Sequence, residues 1–117
     1  MTQMRQLENW FVREEQALVE AEGEGFHAFL AEDEAYSLGP HWHDFDAHLY
    51  LLEGSVQLTD CATHEEFHCA VGSKMIIPRR CVHTETSSGM TYVLALSVDP
   101  AALTGEINRD PSELPSS

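Results

Sequence analysis

The spacing of apolar residues changes once along this chain. Between residues 3 and 21, Met4, Leu7, Phe11 and Leu18 recur at three-, four- and seven-residue steps, one stripe of a 3.6-residue period. The stripe predicts an amphipathic helix over 3–21, with Thr2 as N-cap and Gly23 and Gly25 ending it. Its Glu-rich face reads as solvated surface, and its apolar stripe should pack on the outside of a sheet or on a second subunit. After Gly25 the pattern becomes short apolar runs between turn signals. Phe26 to Ala31 opens this region, Glu32-Asp33-Glu34 is polar, and Tyr36 to Leu38 leads into a turn at Gly39-Pro40. Further runs lie at Leu49–Leu52, Val56–Leu58, Phe67–Val71, Met75–Ile77 and Thr91–Val98, with turns at Gly54, Cys61–Glu66, Gly72 and Pro78. Many short strands with no helical pattern between them predict an all-β fold. An antiparallel jelly-roll β-barrel behind an N-terminal α-helix fits best, and a parallel α/β sheet does not. The chain then divides into a helix over 1–25, a barrel over 26–98 and a loose tail over 99–117, with a short helical turn at Ala101 to Leu103.

Composition narrows the partners. A chain of 117 residues suits one domain, and 43% hydrophobic residues are enough for a core. Twenty acidic against six basic residues give a net charge of −14, which repels phosphate backbones and anionic lipids. Neither nucleic acid nor a membrane is therefore expected as a partner. No apolar run approaches the roughly 18 residues that span a bilayer. Met1 to Gln6 lacks the basic-then-apolar form of a signal peptide, so a cytoplasmic location is expected. Cys61, Cys69 and Cys81 are odd in number and form no Cys-x-x-Cys, which predicts reduced thiols. The sequence has no Gly-rich phosphate loop, nucleophile elbow or P-loop lysine, and nucleotide chemistry is not supported.

The candidate chemistry is concentrated in Gly39-Pro40-His41-Trp42-His43-Asp44-Phe45-Asp46-Ala47-His48, which holds three of the seven histidines. In an extended segment side chains alternate, so His41 and His43 share a face while Trp42 points away toward core or subunit packing. Two imidazoles on one face suit a single metal ion if a third ligand arrives from elsewhere, and His83 is the candidate. His48 depends on register. Counted from Gly54, Ala47, Leu49 and Leu51 share the inward face and His48 points away; a bulge after His43 would turn His48 inward as a fourth ligand. Asp46 or a water is the other way to complete the set. Cys81 and Glu85 lie two residues either side of His83 and share its face. Cys81 reads as a neighbour of the ligands, a reactive thiol or a plain buried one, and Glu85 as a general base or an exposed acid. Met90 and Tyr92 are expected at the mouth of the barrel. Arg79 and Arg80 could receive an anionic substrate or pair with surface carboxylates.

These stretches resemble the cupin family. Its first motif reads Gly, His-x-His, three or four residues, Glu, six residues, Gly; here His41, His43 and Gly54 match. Its second reads Gly, five residues, Pro-x-Gly, two residues, His, three residues, Asn; here Gly72, Pro78 and His83 match in spacing. The family's Glu falls on Ala47 or His48, its second-motif Gly on Arg80, and its final Asn on Ser87. Gly25-Phe26, His41 to Asp46 and His83-Thr84-Glu85 are also similar to small stand-alone bacterial cupins related to sugar-sensing domains of transcription regulators. The resemblance implies a divalent transition metal (Fe, Ni, Zn or Mn) inside the barrel mouth and a homodimer. It also implies either oxygenase, isomerase or lyase chemistry on a small organic molecule, or non-catalytic binding of a sugar or organic acid.

Overall fold

The computed structural model describes residues 3–103 and 107–114. The strands are β1 (Arg5–Leu7), β2 (His27–His41), β3 (Ala47–Asp60), β4 (Glu66–Cys69), β5 (Lys74–Ile77) and β6 (His83–Leu96), with one helix, α1 (Glu14–Gly23). They form one antiparallel sheet in the order β1-β5-β3-β6-β2, with β4 pairing the far half of β3. This is the antiparallel jelly-roll barrel with an N-terminal helix that the sequence predicts. Among the described residues no helix is long and apolar enough to cross a membrane.

Alternation along β3 sorts the two faces. Ala47, Leu49, Leu51, Val56 and Leu58 join Met75, Ile77, Met90, Tyr92 and Leu96 in the inner core. Tyr50 and Leu52 point outward, where Tyr50 packs with Val93, Ala95, Ala17, Ala21 and Phe11 beneath α1. The helical stripe thus packs on the outside of the sheet. Gly54 is not a turn. It sits inside continuous β3 at φ +84°, where the register with β6 shifts on either side of it. A Cβ there would overlap the Gly89 carbonyl oxygen, so only glycine lets the two long strands cross this closely.

The first twenty residues differ from expectation. The helix begins at Glu14, not residue 3, and residues 5–7 pair with β5 instead. Met4 is buried in the inner core and Phe11 under the helix, so the apolar spacing reports two separate cores rather than one stripe. The Gln16 side chain accepts the backbone N–H groups of Val12 and Arg13 and closes the start of α1. The expected cap, Thr2, lies outside the described residues. At the end of the chain the expected short helical turn forms as a 3₁₀ turn at Pro100–Ala102, and a second forms at Pro111–Glu113. Arg109 exchanges both backbone hydrogen bonds with Trp42, and the Trp42 indole N–H donates to the Asp110 carbonyl. Residues 108–110, within the tail expected to be loose, are therefore tied to the histidine segment.

Candidate metal centre

His41 ends β2, His43 follows in the β2–β3 connection, and His83 and Glu85 open β6. Strand pairing sets His41 opposite His83, and the two-residue alternation adds His43 and Glu85 on the same side. One donor atom from each of the four lies within 4.8 Å of the others. The ring centroids are 4.3 Å apart for His41 and His83, 5.3 Å for His41 and His43, and 5.1 Å for His43 and His83. His83 is fully buried.

Each imidazole commits one N–H to a carbonyl-type oxygen. His41 Nδ1 bonds the Gly39 carbonyl at 2.7 Å, His83 Nδ1 the Cys81 carbonyl at 2.9 Å, and His43 Nε2 the Asn108 Oδ1 at 3.1 Å. Those acceptors fix the tautomers, so His41 Nε2, His83 Nε2 and His43 Nδ1 carry lone pairs. His41 Nε2 and His43 Nδ1 are buried without a hydrogen-bond partner. Glu85 Oε1 lies 3.3 Å from both His41 Nε2 and His83 Nε2. A carboxylate facing unprotonated nitrogens sets lone pair against lone pair, which requires a cation between them, either a proton or a metal ion. Two ligands bound about 2.0–2.1 Å from one tetrahedral ion lie about 3.3 Å apart, the separation found here. The donor set fits a divalent transition metal.

Without metal the proton falls on one side of the cluster. Burial opposes a charged His41, but Glu85 and the Gly39 carbonyl outweigh it and the pKa of His41 rises. Burial, reinforced by His83 and His41, pushes His43 down to about 4. Burial would raise Glu85, yet the facing His41 and His83 imidazoles and the Tyr36 hydroxyl hold it far below the usual carboxylate range. The Tyr36 hydroxyl donates to Glu85 Oε2 at 2.7 Å. A cavity of about 510 Å3 opens beside the cluster, with His43 and Glu85 in its wall and Phe29, Met90, Tyr92 and Leu94 among its other walls.

The remaining candidates lie elsewhere. His48 is not in the cluster: β3 keeps the register counted from Gly54, no bulge intervenes before residue 51, and His48 stacks on Phe26 with Nδ1 3.7 Å from Glu24. Asp46 accepts the Arg79 backbone N–H at 2.8 Å and does not reach the histidines. Cys81 contributes its carbonyl to His83, while its thiol points to Asp60 Oδ2 at 3.7 Å. Cys61, Cys69 and Cys81 are all free thiols. Arg79 and Arg80 both pair with Asp44 on the surface, outside the cavity wall. Met90 and Tyr92 do line the cavity. Asn108, the partner of His43, went unnoticed in the sequence. A lone Asn beyond the last strand carries no local signal, and only the docked tail brings it here.

No family model matches this sequence, and no curated protein is significantly similar to it. Solved structures are similar in shape. A DUF861 family protein from Thermotoga maritima matches at a TM-score of 0.54 and 15% identity, over 79% of this chain and 97% of that one. A Neisseria meningitidis protein matches at 0.52 and 22%, over 61% of this chain and 72% of that one. The polyketide cyclase RemF from Streptomyces resistomycificus matches at 0.50 and 24%, over 74% of this chain and 66% of that one. These neighbours are cupin-type proteins. The fold is the cupin fold.

The departures from the cupin motifs now have a structural meaning. The position of the cupin Glu, Ala47, faces inward as the spacing predicts, but it is apolar and buried. The carboxylate beside the histidines comes instead from Glu85 on β6. Arg80 stands where the cupin motif has Gly and adopts φ +63°, the left-handed region that favours glycine. Its backbone N–H donates to the His43 carbonyl at 2.8 Å, which ties that turn to the histidine segment.

Proposed function

We propose that this protein binds a divalent transition metal through His41, His43, His83 and Glu85 and receives a small organic molecule in the adjoining cavity. The observation that supports it is the convergence of three imidazole lone pairs and one carboxylate with no protein cation among them. Imidazole and carboxylate donors suit Fe, Ni, Zn or Mn and do not choose between them. A bound ion would supply Lewis acidity toward an oxygen of the ligand. The chain itself orients the donors: Gly39, Cys81 and Asn108 fix the imidazole tautomers, and Tyr36 holds Glu85. The apolar walls exclude water around the group that binds there. Oxygenase, isomerase and lyase chemistry all suit such a site. Binding without turnover is the second reading. It is favoured by Glu85 already accepting the Tyr36 hydroxyl and lying 3.3 Å from two imidazole nitrogens, which leaves it poorly placed as a free base.

The test is metal analysis of desalted protein after loading with Fe, Ni, Mn or Zn. Stoichiometric metal is expected in the parent and in His48→Ala, and none in His41→Ala. A parent that retains no ion refutes the proposal. Homodimer formation stays part of this reading. Exposed apolar residues remain for it at Val12 and Val19 beside and on α1 and at Leu30 on edge strand β2. Light scattering that reports a monomer at micromolar concentration would remove it.

A further inference from the structure

The cavity beside the histidines is about 510 Å3, a size that takes a small organic ligand. Its polar groups are one-sided. Asp33, Glu34 and Glu85 line it, and no Lys or Arg does. The six basic residues of the chain are all engaged or placed elsewhere. Lys74 lies under α1, Arg79 and Arg80 pair with Asp44, Arg109 covers Trp42, and Arg5 and Arg13 belong to β1 and the start of α1. The hydroxyl protons in the wall are committed as well. Tyr92 donates to Asp33 Oδ2 at 2.7 Å and Tyr36 to Glu85 Oε2 at 2.7 Å. His43, only 9% exposed, adds an unpartnered Nδ1. Among the described residues the side chains of the wall therefore offer lone pairs and aromatic faces, with the Asn108 amide as the one uncommitted kind of donor.

We infer that the cavity takes a small organic amine with a ring-sized apolar body, its ammonium seated on Asp33, beside Tyr92. This rests on the cavity being the ligand site, as proposed above, but not on the metal. An ammonium brings three donors to a wall of acceptors and gains a charge-assisted hydrogen bond from Asp33. Neighbouring aromatic faces favour the same charge. The apolar body meets Phe29, Met90 and Leu94. A carboxylate ligand would instead meet three acids and no base, which selects against it. Under this inference an organic acid is the disfavoured ligand.

Calorimetric titration with 2-phenylethylamine, 2-phenylethanol and 3-phenylpropanoate tests this on chelator-treated and on metal-loaded protein. In both forms the amine should bind about tenfold or more tighter than the alcohol, about 1.4 kcal/mol. The carboxylate should not bind the chelated form. Asp33→Asn should bring amine and alcohol to within about twofold. The ranking on the unmodified protein stands as a test even if Asp33→Asn fails to fold. Alcohol or carboxylate binding the chelated protein as tightly as the amine overturns the inference. So does binding of none of the three, or an unchanged preference in folded Asp33→Asn. Protein that retains no metal but prefers the amine through Asp33 would refute the metal reading and keep this one. Protein that binds metal but ranks the alcohol or carboxylate first would do the reverse.

Discussion

Under α1, on the outer face of the sheet, Lys74 is buried to 4% side-chain exposure with Nζ 2.8 Å from Glu20 and 3.3 Å from Glu24. Tyr50 and Trp10 donate two more hydrogen bonds to Glu20. At the inner end of β2 and β6, Glu85 is buried nearly as deeply, at 13%, but faces three imidazoles and no lysine or arginine. Both regions remove charge from water, and only the outer one supplies the opposite charge from the chain. A buried ion pair that completes itself is a structural clamp. A buried set of lone pairs that does not is a receptor for a cation. The contrast separates a structural polar cluster from a candidate functional one with no appeal to family.

The comparison breaks most visibly through metal. At an ion concentration a thousandfold above Kd, loading should raise stability by about 4 kcal/mol. His83→Ala should abolish that gain in denaturant titrations, and a gain that survives would show that the inner cluster does not hold the ion. Next in size is Lys74→Met. It leaves Glu20 and Glu24 without their cation and should cost about 2 kcal/mol, less than a fully buried pair because both acids are partly exposed. Metal content should not change, and a variant that loses metal would mean the two faces are coupled. Asn108→Ala frees His43 to take the other tautomer and should weaken metal affinity about tenfold, read by competition with a chromophoric chelator. Unaltered affinity would show that the docked tail plays no part in the site.

The smallest effect is acid sensitivity of the outer face. Burial, with the charge of Lys74, lowers His48 below its ordinary 6.5. The unfolded chain then takes up that proton first, so this contribution is intact above 6.5 and is lost as pH falls toward the depressed folded value. Burial would raise Glu20, but Lys74, Tyr50 and Trp10 lower it on balance from its ordinary 4.5. Its stabilisation is present above 4.5 and is lost as pH falls through the folded value. In chelated protein, where His43 and Glu85 share these windows, His48→Phe should shrink the loss below 6.5 and Glu20→Gln the loss below 4.5. A pH profile of the same depth in both windows in the two variants as in the parent would sink the assignment.

Much of the inner site was legible because β-strand alternation carries it. His41 with His43, and His83 with Glu85, are each two residues apart; for His48 the sequence left both faces open, and the strand register decides for the outer one. The role of Glu85 was hidden by a prior that exposes acids, although the spacing had already put it beside His83. The tail was illegible for a different reason. Asn108 acts on His43 across 65 residues, and no local pattern encodes a contact of that range. The helix start was misplaced because three- and four-residue spacing is shared by a helix and by a strand-plus-loop whose apolar residues serve two cores. Arg80 shows the reverse case: a mismatch to a motif that the backbone still honours, at a φ of +63°.

Edge strand β2 pairs along its length with β6 alone among the described strands, and it supplies Phe29, Asp33, Tyr36 and Leu38 to the cavity. Its last residue is His41. A strand held on one side frays from its ends, and its amides exchange with solvent through those openings. An ion at the cluster would act as a rivet through one end of that strand and slow deuterium uptake back along the cavity wall. Guest release would then be timed by the breathing of β2, so residence of a guest, and not only its affinity, would depend on whether the rivet is in place.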